Sequence, residues 1–182
     1  IHATKESEPV AIQFMQMGYQ VFVLHYSVGS DRSHPERGIL KHALYPLQVI
    51  EMLETLHLVK EHADEWHIDA NRIFLMGFSA GGHVCASCGV RWKDAKIVEQ
   101  LSFIPKGEEL KVTGIVLGYP FLVPNSDQFF EQHHLEAVQR VQGITNYVLY
   151  QSDTPSREDF DKVNLLNYIS KDTRSEERRV GK

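Results

Sequence analysis

The sequence has few cysteines, no long apolar run and no face rich in lysine and arginine. Its 182 residues include two cysteines, too few for a disulfide framework. No segment approaches the roughly 18 consecutive apolar residues that a membrane-spanning helix needs. Acidic residues outnumber basic ones, 24 against 19, so the formal net charge is −5. These absences argue against a disulfide-rich domain, a membrane protein and a nucleic-acid-binding protein.

The composition is that of an ordinary globular domain. Hydrophobic residues make up 42% of the chain and charged residues 24%, which excludes intrinsic disorder as well as collagen-like and coiled-coil classes. The length suits one domain with a sizeable core.

Both ends of the sequence are unusual. The chain starts at Ile1 and shows no charged segment with an apolar core, so the residues given contain no signal peptide and favour a cytoplasmic location. Residues 174–182 are a charged run that resembles either a solvated tail or the translated read-through of a common sequencing adapter. We expect the second origin, and hence a native partial domain over residues 1–173. The tail holds four of the basic and two of the acidic residues, so the charge without it is −7.

Short apolar runs alternate with helical patterns, which predicts an α/β fold with a mostly parallel sheet and flanking helices. The nearly unbroken apolar run at 21–26 is typical of a strand that is covered on both faces, and 72–77 is predicted as a second buried strand. The predicted strands are 21–26, 72–77 and 112–117. The first predicted helix has Ser7 as its N-cap and stops at Gly18, and the third runs from Ala80 to Gly89. The second begins at Pro46 and has a buried apolar stripe, which consists of Val49, Met52, Leu53, Leu56, Val59 and Ala63. Residues 121–170 break this rhythm and predict a small helical cap, with helices around 129–141 and 157–169.

One motif carries chemistry. Gly77-Phe78-Ser79-Ala80-Gly81 is a G-x-S-x-G sequence between a predicted strand and a helix of small residues, as a nucleophile elbow requires. Gly77 and Gly81 would leave room for the sharp, strained turn on which the serine sits. Ser79 is therefore the candidate catalytic nucleophile, and the backbone N–H of Ala80 the candidate oxyanion donor. The alternative is a Gly-Ser turn without chemistry.

The string from Gly77 to His83 resembles the elbow of α/β-hydrolase esterases, in the carboxylesterase branch that contains acetylxylan and feruloyl esterase-like enzymes. The resemblance covers residues 4–173 and is loose between 121 and 165. It is carried also by Trp66–Ile73, Glu8–Ala11, Tyr26–Val28 and Tyr119-Pro120. It implies an α/β-hydrolase fold, truncated at both ends, and a serine esterase that acts on small acyl esters such as acetylated carbohydrates, with no cofactor and no metal.

The resemblance also implies parts that the sequence lacks. The glycine-rich loop that supplies the second oxyanion N–H would lie before Ile1, and the catalytic acid and histidine would follow residue 173. The fragment is then inactive, because it holds a nucleophile without its base. Three histidines follow Ser79, namely His83, His133 and His134, and we expect none of them to be the base. We interpret the aspartates after Ser79 as caps and surface charges: Asp127, Asp153, Asp159, Asp161 and Asp172.

Other residues admit two interpretations. For His83 we favour packing and a structural hydrogen bond over metal binding, since no companion ligands lie at metal-binding spacing. The C-x-x-C pair Cys85 and Cys88 lies inside a helix, so we favour core packing over redox chemistry. Tyr26 and Tyr119 close two predicted strands and either line the substrate pocket or simply pack.

Two further groups of residues, three histidines and two phenylalanines, are not assigned a chemical role. We place His57, His62 and His67 on the solvated surface. Phe129 and Phe130 belong either to a lid over the site or to a cap packed on the sheet.

The sequence thus favours a serine esterase with a small-molecule ester substrate. The alternatives are a peptidase or lipase on the same fold, or a non-catalytic α/β module that binds a ligand at the former active site. The sequence predicts neither a nucleic-acid nor a membrane partner, and it does not specify the oligomeric state.

Overall fold

A computed structural model describes residues 6–29, 40–122, 147–152, 156–171 and 173, and all that follows concerns these residues. Its elements are α1 (Glu8–Gln16), α2 (Leu47–Glu61), β1 (Phe74–Phe78), α3 (Ser79–Arg91), α4 (Ala95–Val98), β2 (Gly114–Gly118), α5 (Arg157–Val163) and a 3₁₀ turn (Leu165–Tyr168).

Strands β1 and β2 form a parallel pair, with Phe74 opposite Gly114 and Phe78 opposite Gly118. The predicted strands at 72–77 and 112–117 are confirmed, and so is the helix that follows β1. Because parallel strands end at the same edge of a sheet, the residues that follow β1 and β2 are neighbours. This edge positions the candidate site.

The core lies on one face of this pair. Helix α3 packs on both strands, and α2 packs on α3. The predicted α2 stripe is confirmed: Val49, Leu53, Leu56 and Val59 are buried in the helix and Ala63 just beyond it, while Met52 packs against the core from its edge.

The prediction that the strand at 72–77 is buried is correct for one face only, and β2 shows the same pattern. Leu75 is buried, and Ile115 and Leu117 pack against the core, but Phe74 is 53% exposed and Val116 47% exposed on the opposite face. Successive strand residues point to opposite faces, and the described helices cover only one of them.

The strand predicted at 21–26 is also wrong. No residue from Val21 to Tyr26 is in a strand, and Phe22 and Val23 are 48% and 40% exposed. An apolar run becomes a strand only where a neighbouring strand offers backbone partners, and among the described residues β1 pairs with β2 alone. The run instead leads to Ser27, which α2 holds through Gln48 and Glu51.

The first and last helices match their predictions in part. Helix α1 has Pro9 in its first turn and ends before Gly18, whose φ of +89° fits the left-handed stop. The Ser7 side chain makes no capping hydrogen bond, because Ser7 itself has helical φ and ψ angles. The predicted helix at 157–169 is divided into α5 and the 3₁₀ turn, while the one at 129–141 lies outside the described residues. No helix in the described part of the chain has the length and apolarity to span a membrane.

Candidate active site

Ser79 lies where β1 passes into α3, at the carboxyl edge of the strand pair. Its φ is +50°, a left-handed conformation that side-chain-bearing residues rarely adopt. The residue before it, Phe78, is extended, so the chain turns sharply at the serine itself. The predicted strand–turn–helix context is confirmed, and a strained serine in this position is the geometry of a nucleophile elbow.

Close backbone contacts explain one of the two predicted glycines. A Cβ on Gly77 would overlap the backbone carbonyl of Gly81, so only glycine fits at 77. The steric reason that we predicted for Gly81 is wrong, because the nearest described atom to a Cβ there is the Tyr26 hydroxyl at 3.8 Å. Gly82 has that constraint instead: its Cβ would lie 2.8 and 2.9 Å from Cβ and Cα of Pro120. The Gly81-Gly82 pair was visible in the sequence, but the contact with Pro120 was not.

A backbone hydrogen bond ties Ser79 to the segment after β2. The N–H of Phe121 donates to the carbonyl oxygen of Ser79 over 3.1 Å. The sequence does not indicate Phe121, because an apolar residue three positions after a strand has no distinctive pattern.

His83 completes this connection. Its Nδ1 lies 2.7 Å from the carbonyl oxygen of Phe121, and since a carbonyl can only accept, Nδ1 carries the hydrogen. The ring is 3% exposed, and its Nε2 has no hydrogen-bond partner among the described residues. Burial lowers the pKa of His83 to about 4, with the hydrogen bond to Phe121 opposing the shift and the Arg91 charge adding to it. The predicted structural role for His83 is confirmed.

Ala80 is exposed in the first turn of α3. Backbone N–H groups in a first turn have no partner within their helix and carry its positive dipole end. This placement suits an oxyanion donor. The Ser79 side chain is half-buried, and no described side chain hydrogen-bonds to its hydroxyl.

The other acids and histidines after Ser79 do not form a triad in the described residues. Asp159 forms a capping box with Ser156 at the start of α5, and Asp161 lies 3.7 Å from Arg157 on the surface, as predicted. Several of the residues considered from the sequence lie outside the described residues: Asp127, Asp153, Asp172, His133, His134, Phe129 and Phe130.

Tyr26 lies beside the elbow. Its hydroxyl is the described atom nearest to the position of a Cβ on Gly81, and its side chain is half-buried. Burial raises the pKa of Tyr26, and the neighbouring Cys85 and Glu6 raise it further. The contact of Ser27 with α2 brings this tyrosine to the sheet edge.

Tyr119 follows β2 with a φ of +34° and is 66% exposed. Its ring packs at 5.8 Å from that of Phe78, and its hydroxyl donates to Glu6 over 2.5 Å, which raises the pKa of Tyr119. Glu6 is a site neighbour that the sequence did not indicate. The structure thus brings Tyr26 to Gly81, and Tyr119 with its partner Glu6 to Phe78, which are both residues of the G-x-S-x-G motif.

The two cysteines are core residues. Both are free, and both pack in the apolar cluster between α2, α3 and the strands. Burial raises the pKa of Cys85 to about 12 and that of Cys88 well above its ordinary value, so neither thiol is activated.

The surface assignment of one histidine is wrong. His57 stacks on Phe103 with ring centroids 3.6 Å apart, and its Nδ1 lies 2.6 Å from a carboxylate oxygen of Glu109. That contact spans 52 residues of sequence, so local spacing gave no indication of it. His62 stacks on Trp66 at the surface, and His67 is exposed. Among the described residues, no group of three or more His, Cys, Asp or Glu side chains could hold a metal ion.

A parallel strand that leads into a left-handed serine and then into a small-residue helix defines the α/β-hydrolase class. The chain belongs to the BD-FAE family, whose model matches residues 2–175. Two solved structures share the fold. The acetyl ester-xyloside bifunctional hydrolase from Caldicellulosiruptor lactoaceticus aligns with a TM-score of 0.62 and 24% identity over 94% of this chain and 53% of its own. The carboxylesterase Cest-2923 from Lactobacillus plantarum aligns with a TM-score of 0.53 and 22% identity, covering 93% of this chain and 64% of its own.

Two sequence relatives are longer proteins. The endo-1,4-beta-xylanase B of Butyrivibrio fibrisolvens is 28% identical over 119 residues, or 64% of this chain and 17% of that protein. Carboxylesterase 20 of Arabidopsis thaliana is 38% identical over 72 residues, or 38% of this chain and 20% of that protein. The chain thus spans a fifth or less of these two relatives and about half of the first structure.

Proposed function

We propose that this protein is a carboxylic ester hydrolase in which Ser79 is the nucleophile. The observation that carries the proposal is the left-handed backbone of Ser79 at the β1–α3 junction. A strained conformation at a side-chain-bearing residue persists only where its surroundings hold it, and such residues cluster at active sites. Membership of the BD-FAE family and the esterases among the structures that share the fold support the same assignment.

In the proposed reaction the Ser79 Oγ adds to the ester carbonyl carbon and gives its proton to a base. The carbonyl oxygen becomes an oxyanion beside the N–H of Ala80 and the N-terminus of α3. The C–O bond to the alcohol then breaks, the alcohol leaves with the proton, and water hydrolyses the acyl-serine. We propose that the base is a histidine held by an acidic residue, and that both lie beyond residue 173 in the full-length protein. The 182-residue chain alone is then inactive.

For the substrate we propose a small acyl ester, of acetyl type, on a carbohydrate. One relative is an endo-1,4-beta-xylanase and one similar structure is an acetyl ester-xyloside bifunctional hydrolase, which supports a sugar ester. Tyr26 and Tyr119 lie at the same sheet edge as Ser79, and we propose that they line the pocket.

The test uses the full-length protein with p-nitrophenyl acetate and an acetylated xylo-oligosaccharide. We expect Ser79→Ala to lower kcat by about three orders of magnitude or more. Ser87→Ala is the matched control, because Ser87 is a fully buried serine two turns further along the same helix and should leave kcat unchanged.

Each rival function has its own outcome. Acetate hydrolysis that persists in Ser79→Ala would show that the nucleophile is elsewhere. Turnover of long-chain esters or peptides in preference to acetate would indicate a lipase or a peptidase. Binding of the oligosaccharide without any hydrolysis would indicate the non-catalytic module.

A further inference from the structure

The strained turn at Ser79 is held from outside its own helix. Its carbonyl oxygen accepts from the N–H of Phe121, and the carbonyl oxygen of Phe121 accepts from Nδ1 of His83. His83 lies on α3 four residues after Ser79, so the connection leaves the helix, passes through the segment after β2 and returns to the helix. We call these two hydrogen bonds the Phe121 bridge.

The Phe121 bridge acts where the elbow has least room. Pro120, the residue before Phe121, lies against Gly82, and Tyr119 adopts a positive φ of +34° just before it. Pro120 and Phe121 are therefore both held against the first turn of α3. A shift of Phe121 would move the carbonyl of Ser79 and, through the same peptide plane, the N–H of Ala80.

We propose that His83 is a positioning residue for the nucleophile, because its Nδ1–H fixes Phe121 and Phe121 fixes the backbone of Ser79 and Ala80. This inference rests on the proposed function of Ser79. His83 does not touch the reacting atoms, since its Nδ1 is engaged by Phe121 and no described side chain bonds to the Ser79 hydroxyl. Its role is to keep the distance between the Ser79 Oγ and the Ala80 N–H constant.

Two amide substitutions separate this role from simple packing. Asparagine places its N–H₂ group near the position of Nδ1, whereas glutamine places it near the position of Nε2, which has no partner among the described residues. Both are polar, and neither is larger than histidine. Only His83→Asn can restore the hydrogen bond to Phe121.

We therefore expect kcat for p-nitrophenyl acetate to fall about 10- to 100-fold in His83→Gln, which is the range that a misplacement of about 1 Å causes. In His83→Asn we expect kcat within about threefold of the wild type. KM should change little in either variant, because the ester does not contact His83. Cys88→Ala is the control: it removes a buried side chain from the same helix and should lower stability without lowering kcat.

The proposal is overturned if the two amide variants have equal kcat, or if the loss appears in KM or stability alone. If either variant does not fold, ¹⁵N NMR of the wild-type ring decides: a hydrogen on Nδ1 supports the bridge, and one on Nε2 overturns it. Failure of the proposed function is a separate result. It would appear as wild-type turnover that Ser79→Ala does not abolish, whereas fully active His83 variants beside an inactive Ser79→Ala would overturn only the positioning role.

Discussion

Gly82 is the glycine of the elbow that a distant backbone segment crowds most closely. An added Cβ there would press on Pro120, 38 residues later, at 2.8 Å. At Gly81, one residue before, the same Cβ would meet only the Tyr26 hydroxyl at an ordinary 3.8 Å. The two adjacent glycines of α3 thus form a matched pair in which one substitution is crowded and the other is not.

We expect Gly82→Ala to lower the free energy of unfolding by about 1–3 kcal/mol, because backbone atoms of the segment after β2 must move. Gly81→Ala should be neutral or stabilising by up to about 1 kcal/mol, since alanine is the better helix former. Urea denaturation of the two variants measures the difference. Equal losses at both positions would contradict the contact with Pro120.

The motif predicted the turn at Ser79 but not the residues that hold it. The G-x-S-x-G pattern encodes local geometry, and the structure confirms the strand, the turn and the helix at that place. Gly82–Pro120 and His83–Phe121 are contacts between segments 38 residues apart, which a single sequence does not display.

At the scale of elements, α2 does more than supply the apolar stripe that its periodicity predicted. Glu51 accepts hydrogen bonds from the N–H and the hydroxyl of Ser27 at 2.8 and 2.5 Å, on the side of the helix that faces residues 21–29. One turn later, Glu54 accepts the same two kinds of bond from Ser102, at 2.5 and 2.7 Å, but in an exposed setting. Helix α2 therefore makes the same glutamate–serine hydrogen-bond pair twice, once in a half-buried position and once at the surface.

We expect Glu51→Gln to cost about 1–2 kcal/mol in unfolding free energy, since an amide nitrogen cannot accept one of the two bonds. Glu54→Gln should cost about 0.5 kcal/mol or less, because solvent replaces the lost bond. If Tyr26 lines the pocket, Glu51→Gln should also raise KM for p-nitrophenyl acetate, while Glu54→Gln should not. If both variants have the same KM, Tyr26 does not line the substrate pocket.

The element predictions succeeded where local pattern decides and failed where pairing decides. The stripe of α2 and the small residues of α3 depend on helical periodicity, and both helices are confirmed. The run at 21–26 is as apolar as β1, yet it is not a strand in the described residues, because periodicity does not say which backbone will pair with it.

At the scale of the whole molecule, the helices that pack on one face of β1 and β2 bury His83 together with the hydrophobic core. His83 is 3% exposed on α3, the helix that begins at the candidate site and packs against that core. Its surroundings include the Tyr45 ring at 5.8 Å and, further along the same helix, the charged Arg91 paired with Asp94. Protonation of His83 would place a charge in this interior, so it is unfavourable in the folded protein.

The pH dependence of stability should report this burial. The pKa of His83 is lowered from an ordinary 6.5 to about 4, so above pH 6.5 the ring is neutral in both states and its contribution to stability is complete. Between pH 6.5 and 4 the His83 ring binds a proton in the unfolded chain but not in the folded protein. The free energy of unfolding therefore decreases as the pH is lowered through this range. The loss approaches about 3 kcal/mol near pH 4.

We therefore expect the unfolding free energy of the wild type to fall more steeply between pH 6.5 and 4 than that of His83→Asn, which has no group to protonate there. Urea denaturation of both proteins at several pH values gives the two slopes. Cys88→Ala is the control, because its thiol is neutral throughout this range and its loss should be the same at every pH. Parallel curves for the wild type and His83→Asn would mean that the ring accepts a proton in the folded state as readily as in the unfolded one, and that the interior around α3 is open to water.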